Sequence, residues 1–312
     1  MTTIKKLEDS RVEIEASISA KDLSAYRVSA LKNINDEISI DGFRKGKVPE
    51  SVLVEKVGDM TIEYEMAELA IADAYPNILE KEKIEAIGRP EVKITKIAKD
   101  SPLEFTITTA VMPKITVGDY KKIAKAEMKK EFEVKEVTDE EVDKVMVEIE
   151  KQHGHKHDEP DYAKRVRDSL NAEKKHIAME KRRLAMADEI LKTVEVTLPR
   201  IMVEQELARS EAQFKDDMAR LNVKLEDYLE KLNKSMDDLR KDWEEGARKK
   251  ATLQLALNKI AEEEKLSPDA DQVEKEVGMI IEHYPKADPI QARIYAETVL
   301  TNDKVFAFLE SL

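Results

Sequence analysis

Asp41-Gly42-Phe43-Arg44-Lys45-Gly46-Lys47-Val48-Pro49 is the stretch on which the reading of this chain turns. Two glycines bracket an aromatic and two cations, and a third cation follows. Glycine reaches backbone conformations that other residues avoid, so the segment is expected to be a shaped loop. Upstream, Leu23, Tyr26, Ala30, Leu31, Ile34 and Ile38 recur at helical spacing behind Ser19 and Asp22, a capping-box pair. Downstream, Pro49 can open a short helix that holds Val52, Leu53 and Val57 and stops at Gly58. The loop therefore joins two helices. A Phe flanked by Arg and Lys suits a surface that is part phosphate and part apolar, because Arg pairs with phosphate bidentately and Phe stacks on a base or enters an apolar pocket. The plainer alternative is a basic turn whose Phe folds back onto its own domain.

Working outward, Val12, Ile14, Ala16 and Ile18 alternate as in a half-buried strand. A helix is expected from Thr61 to Leu79, kinked or ended near Pro76. Val92, Ile94 and Ile97, then Leu103, Phe105, Ile107, Thr109 and Val111, mark two strands joined by the turn Lys99-Asp100-Ser101-Pro102. Strands, intervening helices and a hairpin make residues 1–112 an α+β domain. Residues 113–160 read as a connector. Thr138-Asp139-Glu140-Glu141 opens a helix striped by Val142, Val145, Met146 and Ile149, and a polar break follows from His153 to Pro160.

From 161 to 312 only helices are expected. One runs over about 161–193, and Thr197-Leu198-Pro199 resets the chain before another that reaches about Leu221. Ser235 caps a third to about Lys265, Ser267-Pro268 starts a fourth, and two short helices follow Asp288-Pro289 and Thr301. The fold class is thus an α+β N-terminal domain followed by an extended all-α domain of long helices, in an elongated, helix-dominated molecule.

Composition agrees. Of 312 residues, 38% are charged and 5% aromatic, with 8 Gly and 10 Pro, a balance that favours long helices over tight turns. A 41% hydrophobic fraction suffices for real cores. The absence of cysteine excludes disulfides and cysteine zinc sites. Met1 to Asp9 has no apolar run of the secretory kind, and no stretch approaches the eighteen or so apolar residues of a membrane span. A cytoplasmic protein without membrane contact is expected. The net charge of -13 confines any contact with RNA to a local basic patch.

The loop closely resembles the ribosome-binding signature of trigger factor, the bacterial chaperone of the polypeptide exit tunnel. In that family the motif is Gly-Phe-Arg-x-Gly-Lys-x-Pro, matched here by Gly42, Phe43, Arg44, Gly46, Lys47 and Pro49. Val196-Thr197-Leu198-Pro199 and Val203-Glu204-Gln205-Glu206 resemble its C-terminal body and arms. The resemblance implies docking of Phe43, Arg44 and Lys45 on ribosomal protein and RNA beside the tunnel. It also implies helical arms that hold nascent and unfolded polypeptides, without ATP or any cofactor. A free helical cradle can bury its apolar surface in a homodimer.

The family normally carries an FKBP-like peptidyl-prolyl isomerase domain between its halves. Residues 151–160 cannot hold one, since an independent domain needs at least about 50 residues. A chaperone that is not an enzyme is therefore expected. The rival readings are an isomerase or metal-dependent activity around His153, His155 and His157, and a helical scaffold that never meets ribosomes. Imidazoles bind zinc or nickel, but this spacing fits neither zinc-finger nor zincin patterns, so a solvated linker is preferred. There is no glycine-rich phosphate loop and no nucleophile elbow. His176 and His283 read as ordinary helical residues. Met179, Met186, Met202, Met218, Met236 and Met279 are candidates for a soft apolar cradle.

Overall fold

The computed structural model describes residues 2–130, 136–153 and 160–312, with backbone alone at 152, 153 and 160. The chain divides into two compact units, each built from two segments. The first comprises 1–114 and 197–248, the second 115–196 and 249–312.

The first unit begins with the antiparallel strands β1 (Thr2–Leu7) and β2 (Arg11–Ile18). Four helices follow: α1 (Ala20–Ser24), α2 (Arg27–Glu37), α3 (Glu50–Val57) and α4 (Asp59–Glu82). The hairpin β3 (Ala86–Lys96) and β4 (Leu103–Val111) completes a sheet of order β1-β2-β4-β3. The expected alternation places Val12 and Ile14 of β2 and Leu103, Phe105 and Ile107 of β4 on the buried face, with Ile14 opposite Ile107 in the register. Ile62, Met66, Ala67 and Ala70 of α4 share that core. β1 escapes the alternation rule because all its side chains are exposed or half-buried, leaving no apolar period to read. Pro90 is tolerated because β3 is an edge strand with an irregularity between Ile87 and Glu91.

Two local expectations fail here for physical reasons. The apolar run Leu23–Ile38 is two helices, because the Ala25 and Tyr26 amides turn back onto Asp22 O and Leu23 O and close α1 at Ser24. The helix expected from Thr61 to Leu79 runs as α4 from Asp59 to Glu82 and does not end at Pro76. Burial of Ile62, Met66, Ala70 and Ile71, with the Tyr75 hydroxyl donating to Thr109 Oγ1 at 3.0 Å, outweighs a single lost donor. Pro76 has no N–H to give to Ala72 O. Pro76→Ala is accordingly expected to stabilise the protein by about 1–3 kcal/mol, read as a higher urea midpoint at unchanged slope.

Residues 197–248 add α8 (Arg200–Arg220), α9 (Leu225–Leu232) and the first half of α10 (Met236–Glu264). Ser10 Oγ donates to Thr197 O at 2.8 Å. Val203, Leu207 and Ala247 bury together with Leu198 and Trp243. The Ser235 cap is formed as expected, its hydroxyl accepting from Asp238 N at 3.2 Å. α9 has no fully buried residue, although Leu225, Tyr228, Leu229 and Leu232 share one face at helical spacing.

The second unit holds α5 (Tyr120–Met128), α6 (Asp139–His153), α7 (Pro160–Leu191), the rest of α10, α11 (Ala270–His283) and α12 (Pro289–Glu310). The α6 stripe is real: Val142, Val145, Met146 and Ile149 pack with Val166 and Leu170 of α7. Met186, Ile190, Ile260, Val305 and Leu309 form a second core. Arg183 clamps Glu310 bidentately at 2.7 and 3.2 Å, and that carboxylate raises the guanidinium's already high pKa. α11 starts at Ala270, later than Ser267-Pro268 suggests, because Asp269 is the residue whose side chain accepts from Asp271 N and Gln272 N. The two short C-terminal helices are in fact one. Thr301 does not cap: its hydroxyl donates back to Glu297 O at 2.6 Å within α12.

Candidate functional site

The segment between α2 and α3 is a loop with two left-handed positions, Gly42 (φ 88°) and Gly46 (φ 78°). Between them Phe43, Arg44 and Lys45 are exposed, with Phe43 at 40% of its full surface. The ring keeps part of its surface open to contact while the rest is covered. Phe43 N donates to Ile40 O at 3.1 Å and Lys47 N to Arg44 O at 2.9 Å, so two short turns hold the tip. Lys47 is exposed, Val48 is buried, and Pro49 stands at the N-cap of α3 with φ -60°. All seven residues singled out in the sequence thus share one loop, and Phe43, Arg44 and Lys45 lie together at its tip.

The glycines are structural requirements. A Cβ on Gly46 would meet Asp36 Oδ1 at 2.8 Å, and its φ lies where side chains are strained. Gly46→Ala is expected to cost about 1–3 kcal/mol, chiefly from backbone strain, measurable by urea denaturation.

Beneath the loop is a cleft of about 250 Å³ lined by Val28, Leu31, Lys32, Asn35, Gly46 and Val48, among others. Asn35 is the residue sequence reading missed. It accepts from Gly46 N through its backbone oxygen at 3.0 Å, and its side chain pairs with both backbone groups of Val48 at 2.8 and 3.1 Å. A lone Asn on a helix gives no pattern to find. A separate, largely apolar concavity of about 390 Å³ lies between α4 and β3, lined by Ile71, Ala72, Tyr75, Pro90, Val92 and Ile94 with Glu68.

The chemistry this arrangement offers is recognition. An exposed aromatic beside two cations that form no ion pair among the described residues can meet apolar and phosphate groups at once. Of the histidine candidates, His155 and His157 and the side chain of His153 lie outside the described residues. Among the described residues, no cluster of three or more His, Asp or Glu could hold a metal ion, and no helix is long and apolar enough to cross a membrane. His176 and His283 are exposed. Of the methionine set, Met186 is fully buried in the second core, whereas Met179 and Met279 are exposed.

Comparison with known proteins agrees across both halves. The family model described as bacterial trigger factor protein matches residues 1–149, and that described as bacterial trigger factor protein C-terminus matches 160–307. A trigger factor of Natranaerobius thermophilus is 29% identical over 160 residues, covering 51% of this chain and 35% of its own length. Those of Rhodococcus opacus (30% over 153 residues) and Moorella thermoacetica (32% over 117 residues) cover 49% and 38% of this chain, and 32% and 26% of their own length. The chain thus spans about a third of the length of the curated relatives it matches. A solved structure from work on promiscuous substrate recognition in the folding and assembly activities of the trigger factor chaperone covers 99% of both chains at TM-score 0.58. At 16% identity that likeness concerns the fold.

Proposed function

The chain belongs to the bacterial trigger factor family, and on that premise we propose that it is an ATP-independent chaperone that docks at the ribosomal exit tunnel and holds nascent or unfolded polypeptides. The observation that carries this reading is the exposed Phe43–Arg44–Lys45 tip on a loop whose flanking glycines and turns fix its shape. Gly42, Phe43, Arg44, Lys45, Gly46, Lys47 and Pro49 form the ribosome-binding site, with the tip contacting protein and RNA. In a chain of net charge -13, a local cationic tip directs contact to one place and leaves the rest of the surface repelled by RNA.

Functionally, residues 1–112 serve as the anchor, 113–160 as the connector and 161–312 as the client-holding body. Apolar side chains left at the surface suit weak, promiscuous capture: Ile177, Met179 and Leu184 on α7, and Ile290, Ile294 and Tyr295 on α12. Such surface can also be covered in a homodimer off the ribosome. The protein works in the cytoplasm, without cofactor and without isomerase activity. The two family matches leave only residues 150–159 between them, far too few for a domain of about 50 residues or more.

A photoreactive side chain installed in place of Lys45 and mixed with translating ribosomes is expected to cross-link to the large subunit beside the tunnel exit. Cross-links confined to other parts of the ribosome would sink the docking assignment. Turnover of a short prolyl peptide above the uncatalysed rate would overturn the non-enzymatic part.

A further inference from the structure

We propose that Asn35 is a positioning residue that locks the docking loop into its binding shape, a role that in its ribosomal consequence rests on the docking reading above. Asn35 lies in the last turn of α2, where backbone carbonyls have no partner within the helix. Ile34 O is taken by Ile38 N, which leaves the helix, and Asn35 O is taken by Gly46 N at 3.0 Å. The loop itself therefore caps the helix. The Asn35 side chain then reaches past Lys47 to the next residue. Its Nδ2 donates to Val48 O at 2.8 Å and its Oδ1 accepts from Val48 N at 3.1 Å. Three hydrogen bonds from one residue thus fix the loop backbone on both sides of Lys47.

The choice of side chain follows from that pairing. A primary amide sets a donor and an acceptor side by side, matching the N–H and C=O of one residue, and asparagine does so on a shorter stem than glutamine; aspartate lacks the donor, and an aliphatic residue has neither. Val48 is 4% exposed, so its backbone groups have little water to turn to if Asn35 is removed. The tip is coupled to this anchor, because Lys47 N donates to Arg44 O at 2.9 Å. Phe43, Arg44 and Lys45 have no hydrogen bond or ion pair of their own side chains among the described residues, so their direction depends on the backbone beneath them. A loop held in its bound shape loses less freedom when it docks, and that saving appears as affinity.

The test uses the full chain and three variants: Asn35→Ala, Asn35→Asp and the tip triple Phe43→Ala, Arg44→Ala, Lys45→Ala. Amide hydrogen exchange at Val48 reads the clamp directly. It is expected to rise at least about tenfold in Asn35→Ala, the equivalent of ~1.4 kcal/mol. In Asn35→Asp, which keeps the acceptor facing Val48 N but sets a carboxylate oxygen against Val48 O, it is expected to rise as well, by less than in Asn35→Ala. Ribosome affinity of Asn35→Ala is expected to fall about tenfold, while the same substitution added to the tip triple changes nothing, because the tip it positions is gone. Wild-type Val48 exchange in both Asn35 variants overturns the clamp. A loss of ribosome binding equally large on the tip-triple background overturns positioning and leaves only a structural role. If the wild type does not bind ribosomes, the docking reading fails instead, and Val48 exchange alone then decides for or against the clamp.

Discussion

Phe105→Ala is expected to lower the unfolding free energy of the first unit by about 3–5 kcal/mol. Phe105 is 1% exposed and sits on β4, one of the two inner strands of the sheet. It lies opposite Ala16 of β2 on one side and Ile94 of β3 on the other. Both neighbouring strands are held by backbone ladders, and α4 packs across the same core through Ile62, Met66 and Ala70. The hole left by the ring therefore has no soft wall to close it, and a cavity that cannot collapse costs most. Since domains are typically stable by only about 5–15 kcal/mol, the loss is a large share of the total. Urea denaturation monitored on the sheet measures it. A change below about 1 kcal/mol would show that this core is looser than its burial implies.

The tip triple Phe43→Ala, Arg44→Ala, Lys45→Ala is expected to weaken ribosome binding by about a hundredfold or more while leaving stability within about 0.5 kcal/mol. The two expectations have separate causes. The side chains are exposed and make no ion pair among the described residues, so the free protein loses little with them. In the complex, the ring contributes apolar burial worth about 1.5–3 kcal/mol, and each cation that meets a phosphate adds an electrostatic part that salt screens. Phe43→Ala alone should therefore lower affinity with little change in salt dependence. Arg44→Ala and Lys45→Ala should each flatten the salt slope by about one counterion. A triple variant whose salt slope matched the wild type would remove the phosphate from the account.

How much of this could be read before the fold was known varied with how local the cause was. The loop over residues 41–49 was legible because its needs are local: two left-handed glycines, an aromatic, three cations and a proline that starts a helix. The sheet core was legible at β2 and β4, where burial of one face enforces alternation at Val12, Ile14, Leu103, Phe105 and Ile107. β1 was not, since an edge strand with no buried side chain carries no such pattern. α5 went unread although Tyr120, Ala124 and Glu127 are buried and Ile123 and Met128 partly so; at nine residues it is short for a period to stand out. Pro76 obeyed tertiary packing over local preference inside α4, and the Thr301 hydroxyl bonded back to Glu297 O inside α12 where a cap was expected. Asn35 shows the same limit at the candidate site. Its importance lies in where Gly46 and Val48 come to rest, which no spacing along the chain encodes.

The central claim is that the Phe43–Arg44–Lys45 tip anchors this chain to ribosomes. Co-sedimentation of the wild type and the tip triple with purified ribosomes, at one moderate salt concentration, addresses it most directly. The account predicts that the wild type pellets with the large subunit and that the triple variant stays in the supernatant while remaining folded. Equal pelleting of the two proteins, or no pelleting of either, would contradict it.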